Sequence, residues 1–296
     1  MAKLNLKFYK GQDCYSDGDV ENIILDIIKK EKNFQEIVYN ISNWAILYHF
    51  LPNRENILDW YDFDNKASLL EIGAGCGALT GLFARKVKNV TAIELSKRRS
   101  EIIYNRYKDF FNIEIIVGNL NDIVLDTKFD YVTLIGVLEY AARFTQGKEP
   151  FKIFLDNIKQ YLKDDGKLFI AIENKFGLKY WAGAREDHTG KFFESIEGYS
   201  PYTQIRTFGK IELEELLRSV GFKFLNFYYP MPDYKLPKVI YSDSYLPKIN
   251  DFFDIYSPNL DRDRCVLFDE RKVFKNIIEN KQFPFFANSF LVEARL

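Results

Sequence analysis

The stretch formed by residues 67–94 limits the possible folds of this chain more than any other. An apolar segment, residues 68–72, has the length and composition of a buried strand. It is followed by three glycines at alternate positions, Gly73, Gly75 and Gly77. Because glycine has no Cβ, the backbone can turn sharply at these positions and a ligand can lie against it. The pattern predicts a strand that ends in a ligand-binding turn.

The residues after the glycines extend this pattern into a strand–helix–strand unit. Residues 79–87 place their apolar side chains on one helical face, and residues 90–93 form a second apolar strand that ends at Glu94. In a doubly wound α/β fold, a carboxylate about 20 residues beyond the first glycine binds ribose hydroxyl groups. The stretch therefore predicts a nucleotide-type pocket at the carboxyl ends of parallel strands.

The glycines alone leave the ligand open, because Gly73, Gly75 and Ala78 also fit a dinucleotide pattern that ends in glycine or alanine. Glu71, an acid two residues before the first glycine, favours a different ligand. Its charge would repel a pyrophosphate and attract an ammonium group. S-adenosylmethionine has an amino-acid end and no phosphate, so it suits this pocket better. A glycine-rich turn without a ligand is the remaining alternative.

The segment Glu71-Ile-Gly-Ala-Gly-Cys-Gly resembles motif I of the class I S-adenosylmethionine-dependent methyltransferases, and Glu94 resembles their ribose-binding acid. The resemblance covers nearly the whole chain from residue 67 onward and implies S-adenosylmethionine as the cofactor. At the position of Asn119, where the family contacts the adenine amine, Asp is commoner than Asn. The resemblance places further cofactor contacts at Leu95, Asn119, Leu120 and Gly136.

Strands and helices alternate along the rest of the chain with short connections, which indicates a parallel sheet with helices on both faces. Further strands are predicted at residues 113–117, 129–135, 167–172, 222–229 and 289–293. Together with the resemblance, this pattern predicts a doubly wound, Rossmann-like α/β fold. The predicted sheet has seven strands, of which the last is antiparallel.

Two kinds of addition surround this core. Residues 1–66 are predicted to form an N-terminal helical cap, with apolar stripes in residues 16–30 and 34–48 and a short helix at 54–61. The cap either covers the cofactor cleft as a lid or only covers one face of the sheet. Residues 67–296 are predicted to form the methyltransferase domain, with two substrate-side insertions at residues 173–210 and 231–287.

The composition argues against several other classes of protein. The chain has 296 residues and is 47% hydrophobic, which is ample for a globular core. Its formal net charge of -1 provides no basic field for nucleic acid, and no apolar run reaches the length of a membrane span. The three cysteines are isolated, and the N-terminal residues lack an apolar signal core. We therefore expect a cytoplasmic protein that does not bind nucleic acid.

The first insertion begins where a strand ends, and chain leaving the carboxyl end of a strand lines the ligand crevice of such folds. This insertion resembles a bacterial methyltransferase group associated with surface-polysaccharide gene clusters. The resemblance lies in residues 173–183, 185–190 and 197–199, and in Pro232-Asp233-Tyr234-Lys235 and Tyr241-Ser242-Asp243 of the second insertion. Some members of that group appear fused to glycosyltransferases, so the chain could be part of a longer polypeptide. The resemblance implies O-methylation of a saccharide or related small polar acceptor.

Aromatic and polar side chains of this insertion could bind such an acceptor. Aromatic rings can stack on sugar faces, although aromatic clusters more often belong to a core. Basic side chains can hold a phosphate on a sugar carrier, although lone basic residues in loops are usually only solvated. The substrate-binding candidates are Asn174, Tyr180, Trp181, Arg185, Asp187 and Tyr199.

Methyl transfer to a hydroxyl group requires alignment of donor and acceptor and removal of a proton. Histidine is the usual base near neutral pH, and the chain has only His49 and His188. His188 lies beside Asp187 in the substrate-side insertion and is the preferred candidate, whereas His49 is expected to be a packing or cofactor-lid residue. Glu139 and Glu173, at strand ends, are the alternative catalytic residues.

Other chemistry and other functions remain open from the residues alone. The acids around His188 could hold Mg²⁺, but their spacing is not diagnostic, and no metal site is predicted. Transfer to the nitrogen of an amino sugar or another amine needs a base less. RNA or protein methylation is a further alternative. A non-catalytic partner is disfavoured because the acids and glycines of the cofactor motif are intact.

Overall fold

The structure is a computed structural model that describes residues 1–13, 15–16, 18–30, 43–251, 257 and 262–296. The chain divides into two compact units. Unit 1 comprises Met1–Leu134 and Asn157–Leu168, and unit 2 comprises Ile135–Asp156 and Phe169–Leu296. The predicted boundary between a cap and a methyltransferase domain at residue 66 stays a prediction.

Unit 1 is built from parallel strands and the helices that connect them. Strand β2 pairs with β3 and β5, and β4 pairs with β1 and β3, all in parallel. Leu69 and Leu70 of β2 are fully buried, as the predicted apolar strand requires. The elements are β1 (Lys3–Asn5), α1 (Val20–Lys30), α2 (Trp44–Phe50), β2 (Ser68–Ile72), α3 (Thr80–Lys86), β3 (Asn89–Glu94), α4 (Lys97–Arg106), β4 (Ile113–Val117) and β5 (Phe129–Ile135).

Unit 2 contains the remaining strands and most of the later helices. Strand β7 pairs antiparallel with both β8 and β9. Strand β6 begins in unit 1 and ends in unit 2. The elements are α5 (Ala141–Phe144), α6 (Pro150–Lys159), β6 (Leu162–Glu173), α7 (Leu178–Trp181), α8 (Lys210–Ser219), β7 (Phe224–Met231), β8 (Val239–Ser242), α9 (Glu270–Glu279), α10 (Phe283–Phe286) and β9 (Ser289–Arg295).

The predicted α/β fold with a central sheet is confirmed, but the predicted strand count of seven is wrong. The described strands form a nine-stranded sheet in the order β1-β4-β3-β2-β5-β6-β9-β7-β8. The two additional strands, β1 and β8, lie at the sheet edges and have only three and four residues. Strands this short give no periodic signal, and they exist because a neighbouring strand supplies their hydrogen bonds.

The N-terminal helices pack onto the parallel core of unit 1. Ile24 and Ile28 of α1, Ile46 of α2 and Ile102 of α4 share one buried cluster with Cys76. The second apolar stripe was predicted over residues 34–48. Residues 34–41 of this stripe lie outside the described residues, whereas residues 44–48 belong to α2. In the first predicted stripe, over residues 16–30, residue 17 also lies outside the described residues.

The two predicted insertions contain secondary structure of their own. Residues 173–210 contain α7, and residues 231–287 contain β8, α9 and α10. Helix α9 was not predicted, although Asp269 caps it by accepting from the Arg271 amide at 3.0 Å and its Phe274 is buried. The prediction that both insertions lie on the side of the sheet that carries the glycine loop stays a prediction.

Among the described residues, no helix combines the length and the apolar character that a membrane span requires.

Candidate active site

The glycine loop of unit 1 follows β2 directly. Gly73, Gly75 and Gly77 have φ angles of 70°, 57° and 77°, a region that side chains other than glycine rarely adopt. The amides of Gly73 and Ala74 both donate to the carbonyl of Ile93, at 2.9 and 3.1 Å. These bonds fix the loop at the end of β3, and the backbone geometry explains the glycine at each alternate position.

Two of these glycines have different surroundings. A Cβ added at Gly77 would lie 3.0 Å from Cε2 of Tyr107 and 3.2 Å from Cγ1 of Ile103. At Gly75, the only described heavy atom within 4 Å of such a Cβ is Cε1 of His49, at 3.9 Å. Packing inside the protein therefore requires Gly77, whereas Gly75 borders space that a ligand can fill.

Glu94, at the end of β3, also binds the backbone of the glycine loop. Its Oε2 accepts from the Gly75 amide at 2.8 Å, and its Oε1 accepts from the Ser96 amide at 2.9 Å. Burial raises the pKa of Glu94, although Arg99 and the two backbone hydrogen bonds oppose this. Each carboxylate oxygen has a second lone pair, so Glu94 can still accept from ribose hydroxyl groups.

Glu71 lies at the carboxyl end of β2 and is buried. Its Oε2 accepts from Oγ1 of Thr80 at 2.6 Å. The pKa of Glu71 is raised to about 8. Burial is the largest cause, the hydrogen bond from Thr80 opposes it, and the charge of Glu94 adds to it. A second buried acid beside the loop makes this an unfavourable place for a pyrophosphate and a favourable one for an ammonium group.

Helix α2 is attached to the glycine loop through Arg106. One guanidinium nitrogen, Nη1, donates to the carbonyls of His49 in α2 at 3.1 Å and of Cys76 in the loop at 2.7 Å. The guanidinium also lies 4.9 Å from the ring centroid of Phe50. These contacts place α2 against the loop, while the predicted role of the cap as a lid stays a prediction.

The other predicted cofactor residues are divided between the units. Leu95 and Asn119 are half-buried at the ends of β3 and β4, and Leu120 is buried. Oδ1 of Asn119 accepts from the amide of Asn121 at 3.0 Å. Gly136 belongs to unit 2, where a Cβ would lie 2.9 Å from the hydroxyl of Tyr234.

The donor set of unit 1 fits S-adenosylmethionine. Glu71 can bind its amino group, Glu94 can bind its ribose, and the open space at Gly75 leaves room for it against the backbone. None of these features requires a phosphate, and the two buried acids disfavour one.

In unit 2, Glu139, Glu173 and His188 form one cluster, although they come from separate parts of the sequence. Glu139 lies in a short 3-10 turn after β5, Glu173 ends β6, and His188 lies in the first insertion. One oxygen or nitrogen atom of each residue lies within 4.8 Å of the others. Both carboxylates are 1% exposed. The three residues predicted to be catalytic are thus brought together.

The carboxylate that faces His188 does not belong to Asp187, its neighbour in the sequence. Nε2 of His188 lies 3.5 Å from Oε2 of Glu173, and Nδ1 lies 3.2 Å from the hydroxyl of Tyr140. Oδ2 of Asp187 instead accepts from Nζ of Lys179 at 2.7 Å and from the hydroxyl of Tyr180 at 2.5 Å. Glu173 is therefore the carboxylate that faces the imidazole.

Two further residues orient Glu173. Its Oε1 accepts from Nζ of Lys235 at 2.9 Å and from the hydroxyl of Tyr234 at 3.3 Å. Nζ of Lys235 also lies 2.5 Å from Oδ1 of Asp187. No contact with the cluster was predicted for Tyr234 or Lys235, because nothing in the local sequence shows that they reach it.

The cluster shifts the proton affinity of its members. Burial raises the pKa of Glu139 to about 8, and the charge of Glu173 adds to the shift. Burial alone would raise the pKa of Glu173, but Lys235 and His188 outweigh it and hold this pKa well below its usual range. Burial likewise would lower the pKa of His188, but Glu173 and Glu139 raise it to about 9. The buried site therefore attracts positive charge.

A polar cleft opens beside His188 in unit 2. Its volume of about 300 Å³ lies at the lower end of the range for small-molecule sites. Tyr202 in its lining is 92% exposed. The lining consists of Arg143, His188, Thr189, Tyr202, Thr203, Gln204 and Ile205.

The predicted substrate-binding residues lie in unit 2, and their polar groups have protein partners. The side-chain nitrogen Nδ2 of Asn174 donates to two backbone carbonyls at 2.7 Å. The guanidinium of Arg185 pairs with both carboxylate oxygens of Asp263 at 2.8 and 2.9 Å. The Tyr199 hydroxyl contacts Glu186 and Thr207. Tyr180 is fully buried against Asp187, whereas Trp181 is 38% exposed. Their contact with substrate stays a prediction.

The fold and the glycine loop define a class of protein, the Rossmann-like α/β domains. The two acids beside the loop, Glu71 and Glu94, suit a nucleoside ligand with an amino-acid end. Comparison with known proteins narrows this class. Residues 44–226 match a family model described as a methyltransferase domain. The chain belongs to this family and carries an S-adenosylmethionine-dependent methyltransferase domain.

Individual relatives differ in the acceptor that their names state. Ribosomal RNA small subunit methyltransferase A of Malacoplasma penetrans is 30% identical over 121 residues, 39% of this chain and 42% of the relative. The ubiquinone biosynthesis O-methyltransferase of Rickettsia prowazekii is 28% identical over 214 residues, 64% of this chain and 80% of the relative. The chain spans less than half the length of the ribosomal RNA methyltransferases that it matches.

One solved structure that aligns with this chain is described as an S-adenosylmethionine-dependent methyltransferase of Thermotoga maritima and a possible histamine N-methyltransferase. It is 16% identical, with a TM-score of 0.49, and the match covers 92% of this chain and 99% of that chain.

Proposed function

We propose that the chain transfers the methyl group of S-adenosylmethionine to a hydroxyl group of a small polar acceptor, such as a saccharide of surface-glycan biosynthesis. The observation that carries this proposal is the buried cluster of Glu139, Glu173 and His188 beside a polar cleft. A hydroxyl acceptor must lose a proton when it is methylated, so it requires a site of this kind.

The residues of the chain have separate tasks in this proposal. When bound, S-adenosylmethionine supplies an electrophilic methyl carbon on a sulfonium. In unit 1, Glu71 binds the amino group, Glu94 binds the ribose, and the backbone at Gly75 leaves room for both. In unit 2, the cluster activates the acceptor hydroxyl, and the catalytic residues are Glu139, Glu173 and His188.

The lining of the cleft supports a small polar acceptor. The exposed ring of Tyr202 can stack on a sugar face, and Thr203 and Gln204 offer groups that can hydrogen-bond to hydroxyls. Arg143 can bind an acidic substituent. The net charge of -1 supports a small molecule over RNA as the acceptor. The surface-glycan context is drawn from the resemblance of residues 173–199, 232–235 and 241–243.

Transfer to an amine is the second candidate, and the same cluster motivates it. Two buried carboxylates favour a cationic group nearby, and an amine is a stronger nucleophile than a hydroxyl. An amine acceptor depends less on proton removal. Activity that survives His188→Ala on an amino sugar, but not on the matching hydroxyl sugar, would favour N-methylation.

An acceptor screen with labelled S-adenosylmethionine tests the proposal. The panel contains nucleotide sugars, glycan extracts, amino sugars and ribosomal RNA, each with wild type and His188→Ala. We expect label in a saccharide fraction, reduced in the variant. Label in RNA alone would overturn the proposal, and label in amines alone would replace it with the second candidate.

A further inference from the structure

Three of the buried polar atoms in unit 2 that lack hydrogen-bond partners within the described part of the chain lie in one cluster. They are Oε2 of Glu139, Oε2 of Glu173 and Nε2 of His188. These atoms belong to the three residues whose ligand-type atoms lie within 4.8 Å of one another. Native proteins leave few buried polar atoms unpaired, so three in one place point to a missing partner.

We propose that these three atoms bind a divalent transition-metal ion. The Nε2 of His188 lies 3.5 Å from Oε2 of Glu173. This separation exceeds the length of about 2.7–2.9 Å of a charge-assisted hydrogen bond. It matches two ligands of one ion, because metal bonds of about 2.0–2.2 Å at a tetrahedral angle put the ligand atoms about 3.4 Å apart.

The remaining polar atoms of the ligands have partners that orient them towards the ion. Nδ1 of His188 lies 3.2 Å from the Tyr140 hydroxyl, and a proton on Nδ1 leaves the lone pair on Nε2 for the ion. Oε1 of Glu173 is bound to Lys235 and Tyr234, which leaves Oε2 directed at the cluster. Histidine and carboxylate ligands of metals are typically fixed by such outer hydrogen bonds.

The chemistry of the ligands selects the class of ion. One imidazole and two carboxylates suit Zn²⁺ or Mn²⁺, whereas Mg²⁺ prefers oxygen ligands throughout. An ion with two positive charges also balances the two buried carboxylates. The spacing of the three ligands along the chain is not diagnostic of a metal site, because they come from separate segments. The ion would polarise the acceptor oxygen, and this role rests on the proposed function. The binding of the ion does not depend on that function.

Metal titration of the chelator-treated protein, without donor or acceptor, tests the binding. We expect Zn²⁺ to bind with a stoichiometry of one per chain, Mn²⁺ to compete, and Mg²⁺ to compete poorly. Glu139→Gln and His188→Asn should abolish this binding. Tyr140→Phe should weaken it by about 10- to 100-fold, because it removes only an outer partner. Circular dichroism and a thermal melt of each variant check that it is folded.

The chain offers a matched control for each kind of unspecific binding. His49→Asn alters the only other histidine, which lies in unit 1, and should leave Zn²⁺ binding unchanged. Cys265→Ser removes an exposed cysteine and should also leave Zn²⁺ binding unchanged. Equal Zn²⁺ binding by wild type and His188→Asn, or no stoichiometric binding by the wild type, would overturn the inference.

Activity measurements separate this inference from the proposed function. If the protein methylates saccharides equally well before and after chelator treatment, the metal has no catalytic role and the proposed function stands. If Zn²⁺ binds through the cluster but no saccharide is methylated, the metal site stands and the proposed function fails.

Discussion

Nε2 of His188 lies 3.5 Å from Oε2 of Glu173, which ends strand β6 ahead of the insertion that carries the histidine. The insertion thus returns to the strand end from which it starts. Asp187, the acid beside His188 in sequence, is occupied by Lys179 and Lys235. The path of the insertion therefore determines that Glu173 faces the imidazole, and adjacency in the sequence does not.

Substitution of the histidine should affect turnover much more than donor binding. We expect His188→Ala to lower turnover by about 100- to 10,000-fold, the usual cost of losing proton-transfer assistance. Donor affinity should stay nearly unchanged, because the residues predicted to hold the donor at the glycine loop are intact. Steady-state kinetics with the acceptor from the screen, and calorimetry with S-adenosylhomocysteine, measure the two effects. An equal loss in both would contradict a role in acceptor activation.

Glu94 should contribute to donor affinity through hydrogen bonds to the ribose. We expect Glu94→Ala to weaken S-adenosylmethionine binding by about 1.5 to 3 kcal/mol, the contribution of hydrogen bonds to charged groups. The substitution also frees the Gly75 amide from its carboxylate partner. Calorimetric titration of wild type and variant gives the difference. Tight binding of NAD by the wild type, with none of S-adenosylmethionine, would refute the donor assignment itself.

Glu71 should give the ligand-free protein a pH-dependent stability. Its pKa is about 8 in the folded protein and 4.5 as the ordinary value, so the folded state keeps a proton that the unfolded state releases. Between these two pH values the unfolded state binds fewer protons, and the free energy of unfolding therefore falls as pH rises. The contribution of Glu71 is fully present below about pH 4.5 and is lost as pH approaches 8.

Glu71→Gln should remove this contribution while keeping an acceptor for the Thr80 hydroxyl. Urea unfolding at pH 5.5 and pH 8, as chosen test conditions within this window, measures the difference between wild type and variant. We expect the wild type to lose more stability between these pH values, by up to about 1.4 kcal/mol per pH unit. The variant should also bind S-adenosylmethionine more weakly, because it has no charge for the ammonium group. Identical pH dependence in both proteins would show that Glu71 is ionised throughout.

Two alanine substitutions in the glycine loop should separate ligand space from protein packing. Both Gly75→Ala and Gly77→Ala place a side chain at positive φ, which costs about 1–2 kcal/mol. Gly77→Ala should cost more, because its Cβ would also crowd Tyr107 and Ile103. Gly75→Ala should be the milder change in unfolding free energy but should block the donor. Urea unfolding and donor titration of both variants test this order, and a reversed order of stability would contradict the assignment.

Features of this protein that depend on neighbouring residues could be predicted from the sequence. Strand β2 was predicted with its observed bounds, and the glycines after it have the backbone angles that their spacing indicates. These features follow from local sterics and from the period of apolar residues over a few turns or strand positions, so one short stretch is enough to reveal them.

Features that depend on contacts between distant segments are found only in the folded chain. The edge strands β1 and β8 form because β4 and β7 offer them hydrogen bonds. Glu139, Glu173 and His188 meet because two strand ends and one insertion converge. Lys235 joins them from the second insertion. Electrostatic and hydrogen-bonding partners are chosen by distance in space, and periodicity along the chain carries no record of which distant side chains will meet.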